Sequence, residues 1–285
     1  MNSKIIMYHY VQDNSPMRAF SVSSFRDQIR SLKRRFEIVT LTEALEYRGA
    51  RQTCTLTFDD GLKDSVVTIL PVLKEFGVRG TFFISAQTID TRNILGVQKR
   101  HLLLSKIGSG KLVHELNRRL PKELEIRADQ AFKADYIDDL LTCSMKWMLD
   151  YADHEMMDDI LTEIFKLYIN DQEPIFDQLY LSKNDMTMLL SEGMELGVHG
   201  YSHRQLGALY YRDQETEIKQ ATESIKSIIG DSPVYMSYPL GSYNPLTWRL
   251  LEKYGYAAAV TIKKHDNDAN TPRYELGRFD CIDVV

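Results

Sequence analysis

Thr53-Cys54-Thr55-Leu56-Thr57-Phe58-Asp59-Asp60-Gly61 is a run of β-branched and aromatic residues that stops on two carboxylates and a glycine. The first six residues read as a buried strand, and Asp59-Asp60-Gly61 as the turn at its C-terminal end. Downstream, Val66, Ile69, Leu70, Leu73 and Phe76 recur at helical spacing and stop at Gly77, after which Gly80–Ile84 reads as another strand. The same alternation extends outward in both directions. Before it lie a strand at Lys4–Tyr8, a helix capped at Ser23-Ser24 with Phe25, Ile29, Leu32 and Phe36 on one face, a strand at Glu37–Val39 and a short helix at Leu41–Leu45. Beyond Lys183 come a helix to Glu192, a strand at Glu195–His199, a helix at Asp213–Ile229, a strand at Val234–Tyr238, a helix at Asn244–Tyr254, a strand at Ala257–Ile262 and a terminal strand near Leu276–Ile282. Strands alternating with helices predict a parallel sheet. Seven or eight βα units suit a closed or distorted barrel better than an open doubly wound sheet.

Between about residues 90 and 180 the period changes. Ile137, Leu140, Leu141, Ser144 and Met148 share one helical face, and Met157, Ile160, Leu161, Ile164 and Tyr168 share another, which predicts a helical insertion in a single barrel domain spanning 1–285. Residues 121–180 hold 15 Asp and Glu against 5 Lys and Arg, a charge of −10, so the remainder carries +5 of the total −5. A solvated helical face accounts for that block.

Composition removes several classes of function. With 44% hydrophobic and 26% charged residues the chain can bury a core, so a disordered protein is excluded. The acidic balance argues against nucleic acid as a partner. The longest apolar run, Ala257–Ile262, is far short of the ~20 residues of a membrane span, so no integral membrane segment is expected. The opening Met1-Asn2-Ser3-Lys4 shows no signal-peptide pattern, and the expectation is a cytoplasmic protein. Cys54, Cys143 and Cys281 are odd in number and form no CxxC pair, which fits reduced thiols and excludes a structural zinc ribbon. There is no GxxxxGK[ST] phosphate loop.

Asp59-Asp60-Gly61, His199-Gly200-Tyr201-Ser202-His203 and Tyr238-Pro239-Leu240-Gly241 each follow a predicted strand, the end at which α/β barrels build active sites. Two imidazoles four residues apart and a carboxylate from another strand make a two-His, one-carboxylate set, which assigns Asp60, His199 and His203 as ligands of one divalent ion. Adjacent carboxylates aimed at one point would repel, so the roles divide: Asp60 on the metal, Asp59 free to take a proton. Singly, Asp-Asp-Gly is a common turn and His-x-x-x-His a common helix surface; their shared placement at strand ends gives them weight. Phosphotransfer of the haloacid dehalogenase type is disfavoured, because it uses Asp-x-Asp and these carboxylates are adjacent.

Thr57-Phe58-Asp59-Asp60-Gly61, His199–His203 and Ser237–Gly241, in this order, resemble the first three motifs of the polysaccharide deacetylase family, also called NodB-like or carbohydrate esterase family 4. Met7-Tyr8-His9-Tyr10-Val11, the Gly77–Phe83 turn into strand, and Gly255–Thr261 resemble it too, so the likeness covers about 1–88 and 183–285. It implies a distorted (β/α)7 barrel and a metal-dependent hydrolase that removes an N-acetyl group from an amino sugar. It places Asp59 as general base and Asp60, His199 and His203 on the metal, with zinc as the expected ion, and it implies that a backbone N–H of the Tyr238-Pro239-Leu240-Gly241 turn donates to the oxyanion. The sequence departs from the family in three places. Ser237 stands where the family has an Arg that orients the base, Leu240 replaces an aromatic residue, and no Leu-x-His motif for the general acid follows Val260. His265 and His9 are the two candidates for that acid. The implied substrate is an N-acetylated sugar, nucleotide-linked, lipid-linked or a chain end, in surface polysaccharide synthesis. The alternatives are hydrolysis of another small amide or formamide, and a metal-retaining binding protein that has lost catalysis.

Overall fold

The computed structural model describes residues 3–13, 19–47, 49–128, 139–152, 154–169, 171–230 and 234–284. Its elements run β1 (Ser3–Tyr8), α1 (Val22–Arg35), β2 (Glu37–Ile38), α2 (Leu41–Glu46), β3 (Thr53–Phe58), α3 (Leu70–Phe76), β4 (Thr81–Ile84) and α4 (Gln87–Asp90). Then follow α5 (Gly96–Asn117), α6 (Leu140–Tyr151), α7 (His154–Tyr168), α8 (Gln172–Leu179), α9 (Lys183–Ser191), β5 (Glu195–Val198), α10 (Tyr211–Ile229), β6 (Val234–Ser237), α11 (Pro245–Lys253), β7 (Tyr256–Val260) and β8 (Phe279–Asp280). The chain forms two compact units, residues 1–93 with 176–285, and residues 94–175.

In the first unit every strand pairing is parallel and the order is β7-β6-β5-β4-β3-β1-β8. A parallel bridge pairs Val260 of β7 with Leu276, three residues before β8 begins. This is the distorted α/β barrel that the alternation predicted. Its distortion is local: β2 lies against Thr53 and Cys54 of β3, and β4 takes over the same edge at Thr57 and Phe58, which leaves β2 off the ring.

Aromatic packing fixes the register where it matters. Tyr8, Phe58 and Phe82 sit opposite one another on β1, β3 and β4, and their rings stack at 5.2 and 4.6 Å. Such pairs contribute about 0.5–1.5 kcal/mol each beyond their buried area. A slip of one residue would turn all three rings to the other face. The stack therefore sets which residues leave the barrel next, namely His9 from β1 and Asp59-Asp60 from β3.

Three local readings change. The cap of α1 is Ser21, whose Oγ accepts from Ser24 N at 3.1 Å, so the helix starts before Ser23-Ser24; the apolar phase places the buried face but does not select among neighbouring serines. The helix expected over 66–76 opens with a wide π turn at Ser65–Ile69 before α3, which ends as read at Gly77 in the left-handed conformation. The terminal strand shortens to Phe279–Asp280.

The second unit is helical, as its periodicity predicted. Met157, Ile160, Leu161 and Ile164 form the buried face of α7, and Met148 is buried on α6. Leu140, expected on the apolar face, is exposed because it is the first residue after the Asp139 cap; Ile137 lies outside the described residues. Helix α5 breaks phase at Gly108, which adopts a positive φ. It is tied down by buried cations: Lys99 Nζ donates to Asp158 at 3.0 Å and Thr162 at 2.7 Å, and Arg100 to Asp150 at 2.6 Å.

Candidate active site

Asp59 and Asp60 leave β3 already buried, each 2% exposed. The Asp59 amide donates to Tyr8 O at 3.0 Å, continuing the β1–β3 ladder by one residue. The chain then turns sharply: Asp60 has φ 74° and Gly61 φ 68°. Among the described residues, the non-glycine residues in the left-handed region are Asp60, His203 and Leu240, one from each of the three strand-end segments. Each costs on the order of 1–3 kcal/mol, a strain characteristic of functional sites.

The left-handed turns bring the proposed ligands together. Ligand atoms of Asp60, His199 and His203 all lie within 4.8 Å of one another. Asp60 Oδ1 is 3.4 Å from His199 Nε2 and 3.5 Å from His203 Nε2, and the two imidazoles stand nearly perpendicular at 77°. Two atoms each ~2.0–2.1 Å from a tetrahedral ion lie ~3.3 Å apart, so the spacing fits. The tautomer fits as well. His199 Nδ1 lies 2.8 Å from Ser237 O, a carbonyl that only accepts, so Nδ1 carries the proton and Nε2 keeps its lone pair toward Asp60. Two such acceptors repel each other when nothing lies between them, and a cation held between them relieves that repulsion. Glu217 braces the same loop from α10 by accepting from Tyr201 N, Ser202 N and Ser202 Oγ.

Asp59 is held by a different set of residues. Arg278 Nη1 donates to its Oδ1 at 2.9 Å, and Ser237 Oγ lies 3.1 Å from its Oδ2. Arg278 is 1% exposed and also donates to Ser237 Oγ at 2.9 Å, Thr261 O at 2.9 Å and Thr57 Oγ1 at 3.3 Å. Burial pushes the Asp59 carboxyl upward, but the charges of Arg278, then His199 and His9, with the Arg278 hydrogen bond, outweigh it and hold the group well below the usual carboxylate range. Ser237 thus touches Asp59 through its hydroxyl and fixes the His199 ring through its carbonyl. Arg278 was missed in the sequence. The signal available was one arginine set between Leu276 and Phe279 in a segment otherwise read as a buried strand.

The turn after β6 supplies a donor by elimination. Pro239 has no N–H, Tyr238 N donates to Val260 O at 3.3 Å, Gly241 N to Tyr238 O at 2.9 Å and Ser242 N to Pro239 O at 3.0 Å. Leu240 N–H has no acceptor among the described residues. The Tyr238 side chain is committed elsewhere, stacked on Tyr243 at 4.5 Å with its hydroxyl on Tyr274 O. The two candidate acids part company. His9, half-buried beyond β1, acts electrostatically on Asp59. His265 lies beside Gly277 with Nδ1 3.0 Å from Asp266 O, and no described contact links it to the Asp59, Asp60, His199 and His203 cluster.

The profile of the polysaccharide deacetylase family matches residues 46–259, which includes all three strand-end motifs. The chain belongs to this family. It is 30% identical over 81 residues to the peptidoglycan deacetylase of Helicobacter pylori, a stretch that is 28% of each chain. The curated relatives it matches are covered over only 36% and 28% of their own lengths. Solved structures share the fold across nearly the whole chain. The Streptococcus pyogenes deacetylase PplD in complex with acetate superposes with a TM-score of 0.61, 16% identity and coverage of 98% of this chain and 92% of its own. IcaB from Ammonifex degensii gives a TM-score of 0.60, 17% identity and coverage of 97% and 90%.

Proposed function

We propose that the chain is a metal-dependent N-deacetylase that hydrolyses the acetamide of an amino sugar in a surface polysaccharide or its nucleotide- or lipid-linked precursor. The observation that carries this is the pairing of a three-residue ligand set with a separately held, ionised carboxylate one residue away. Asp60, His199 and His203 would hold the ion, and their N/O donors suit zinc. A divalent ion bound there polarises the acetamide carbonyl and acidifies water.

The remaining steps fall to the chain's own groups. Asp59, kept ionised by Arg278, takes a proton from the attacking water as its oxygen adds to the acetamide carbon. Leu240 N–H donates to the oxygen that gains charge, and its turn geometry is already set before substrate arrives. His9 returns a proton to the nitrogen as the C–N bond breaks, leaving acetate and a free amino sugar. His9 is favoured over His265 because it is the imidazole that shares the field of Asp59. The test is acetate release from N-acetylated sugars by protein loaded with zinc, with His9→Ala and His265→Ala compared. Loss in the first variant and retention in the second supports the assignment, and the reverse overturns it.

A further inference from the structure

Arg204 directly follows the proposed ligand His203, on the loop that leads from β5 to α10. That loop borders the turn after β6 at two points. A Cβ at Gly200 would meet Pro239 Cγ at 3.0 Å, and one at Gly207 would meet the Tyr243 backbone at 2.9 Å. Hydrogen bonds hold the same stretch in place. Gly200 O accepts from Ala86 N at 3.0 Å, Tyr201 O from Gln87 N at 2.9 Å, and Gly207 O from Asn244 Nδ2 at 3.0 Å. Arg204 therefore stands on a fixed rim between the Asp60, His199 and His203 set and residues 239–243, the segment that carries the Leu240 N–H.

Its guanidinium lacks the counter-charge that the fold gives its other arginines. Arg204 is half-buried, and its Nε is shut from solvent with no hydrogen-bond partner among the described residues. The two Nη groups reach solvent and find no acceptor among those residues either. Every other buried or half-buried arginine among the described residues faces a carboxylate: Arg26 faces Glu75, Arg100 faces Asp150, Arg119 faces Glu115 and Arg278 faces Asp59. Glu217, the acid that braces this loop, is committed to Tyr201 N, Ser202 N and Ser202 Oγ, and Asp59 is held by Arg278. A partly desolvated guanidinium without a counter-charge is unfavourable, and a ligand that brings one relieves it. A neutral hydroxyl would occupy one donor and leave the charge uncompensated. The paired oxygens of a carboxylate or phosphate match both the planar fork and its charge.

We infer that Arg204 is a specificity-determining residue that receives a negatively charged group of the substrate, a carboxylate or a phosphate carried by the acetamido sugar or its linkage, so that anionic substrates are preferred to neutral ones. The inference rests on the deacetylase reading. The experiment measures acetate release by zinc-loaded protein from N-acetylglucosamine derivatives bearing an anomeric phosphate, a 3-O-lactyl carboxylate or a uronic carboxylate. Each is compared with its uncharged counterpart, the methyl glycoside or the methyl ester, in the wild type, Arg204→Gln and Arg204→Lys. The expected result is a higher kcat/KM for at least one charged member than for its neutral counterpart, and a fall of roughly ten- to a hundredfold in that ratio in Arg204→Gln, the size of a lost charged hydrogen bond. Arg204→Lys, which keeps the charge without the fork, should fall between the two. Preference for the phosphate points to a phosphorylated carrier, and preference for a carboxylate to an acidic sugar. Equal turnover within every pair by the wild type, or a ratio unchanged in Arg204→Gln, overturns the assignment while leaving the deacetylase reading intact. A merely structural role would lower charged and neutral substrates together and keep the ratio. Absence of acetate from every sugar, charged or neutral, overturns the parent reading and this one with it.

Discussion

Arg278 donates to Asp59 across 2.9 Å although the two residues lie 219 positions apart, one immediately before β8 and the other immediately after β3. Ser237 bridges the pair: Arg278 Nη2 donates to its hydroxyl at 2.9 Å, and that hydroxyl lies 3.1 Å from Asp59 Oδ2. Arg278→Ala should lower kcat and destabilise the fold by about 3–5 kcal/mol, since it strands a buried carboxylate. Removing the charge that depresses the Asp59 pKa should also move the acid limb of the kcat/KM profile to higher pH. A profile that keeps the wild-type acid limb would show that Arg278 does not set the ionisation of the base.

Asp59→Asn should keep the metal and lose activity by ~10²–10⁴-fold, because an amide of nearly the same shape accepts the Arg278 hydrogen bond but not a proton. Metal analysis beside turnover separates the two effects.

His203→Ala should lose the ion, since two remaining protein ligands hold it poorly. Chelation of the wild type should abolish acetate release, and readdition of zinc should restore it. Full occupancy in the variant, read by elemental analysis, would remove His203 from the ligand set.

Leu240→Gly should retain turnover within a few-fold and melt at the same or a higher temperature. The proposed role belongs to the backbone N–H, and glycine accepts φ 54° without the side-chain clash that leucine bears. A large loss of kcat would mean that the exposed leucine side chain itself touches substrate.

The barrel and the Asp60, His199 and His203 cluster were legible because both rest on local signals. Strand and helix periods mark the alternation, and the three motifs sit where strands end. Arg278 was not legible, because its partners Asp59, Thr57 and Ser237 come from other strands and only closure of the ring brings them together. The π turn at Ser65–Ile69 escaped for another reason, since one added residue in a turn leaves the apolar spacing of Ile69, Leu70 and Leu73 nearly unchanged. The helix α5 escaped because Gly108 resets its phase.

Asp64, just before that π turn, gives a pH prediction for stability. Burial raises its carboxyl to about 7, against hydrogen bonds from backbone amides such as Val11 N–H, which its Oδ2 accepts at 2.7 Å; the nearby Asp60 charge raises it further. A carboxyl raised on folding contributes stability that is fully present below its unfolded pKa near 4 and is lost as pH rises through 7. Asp64→Asn keeps an acceptor for Val11 and removes the buried charge. In metal-free protein, the variant should therefore be more stable than the wild type at pH 8 and nearly equal to it at pH 4, as measured by urea unfolding.

The measurement that bears most directly on the whole account is acetate release from an N-acetylated amino-sugar oligomer by zinc-loaded wild type and by Asp59→Asn carrying the same zinc. The account predicts steady release of acetate and free amine by the wild type and a loss of at least ~10²-fold in the variant at equal occupancy. Equal release by both proteins would contradict it, as would zinc-loaded wild type that frees no acetate from any amino sugar.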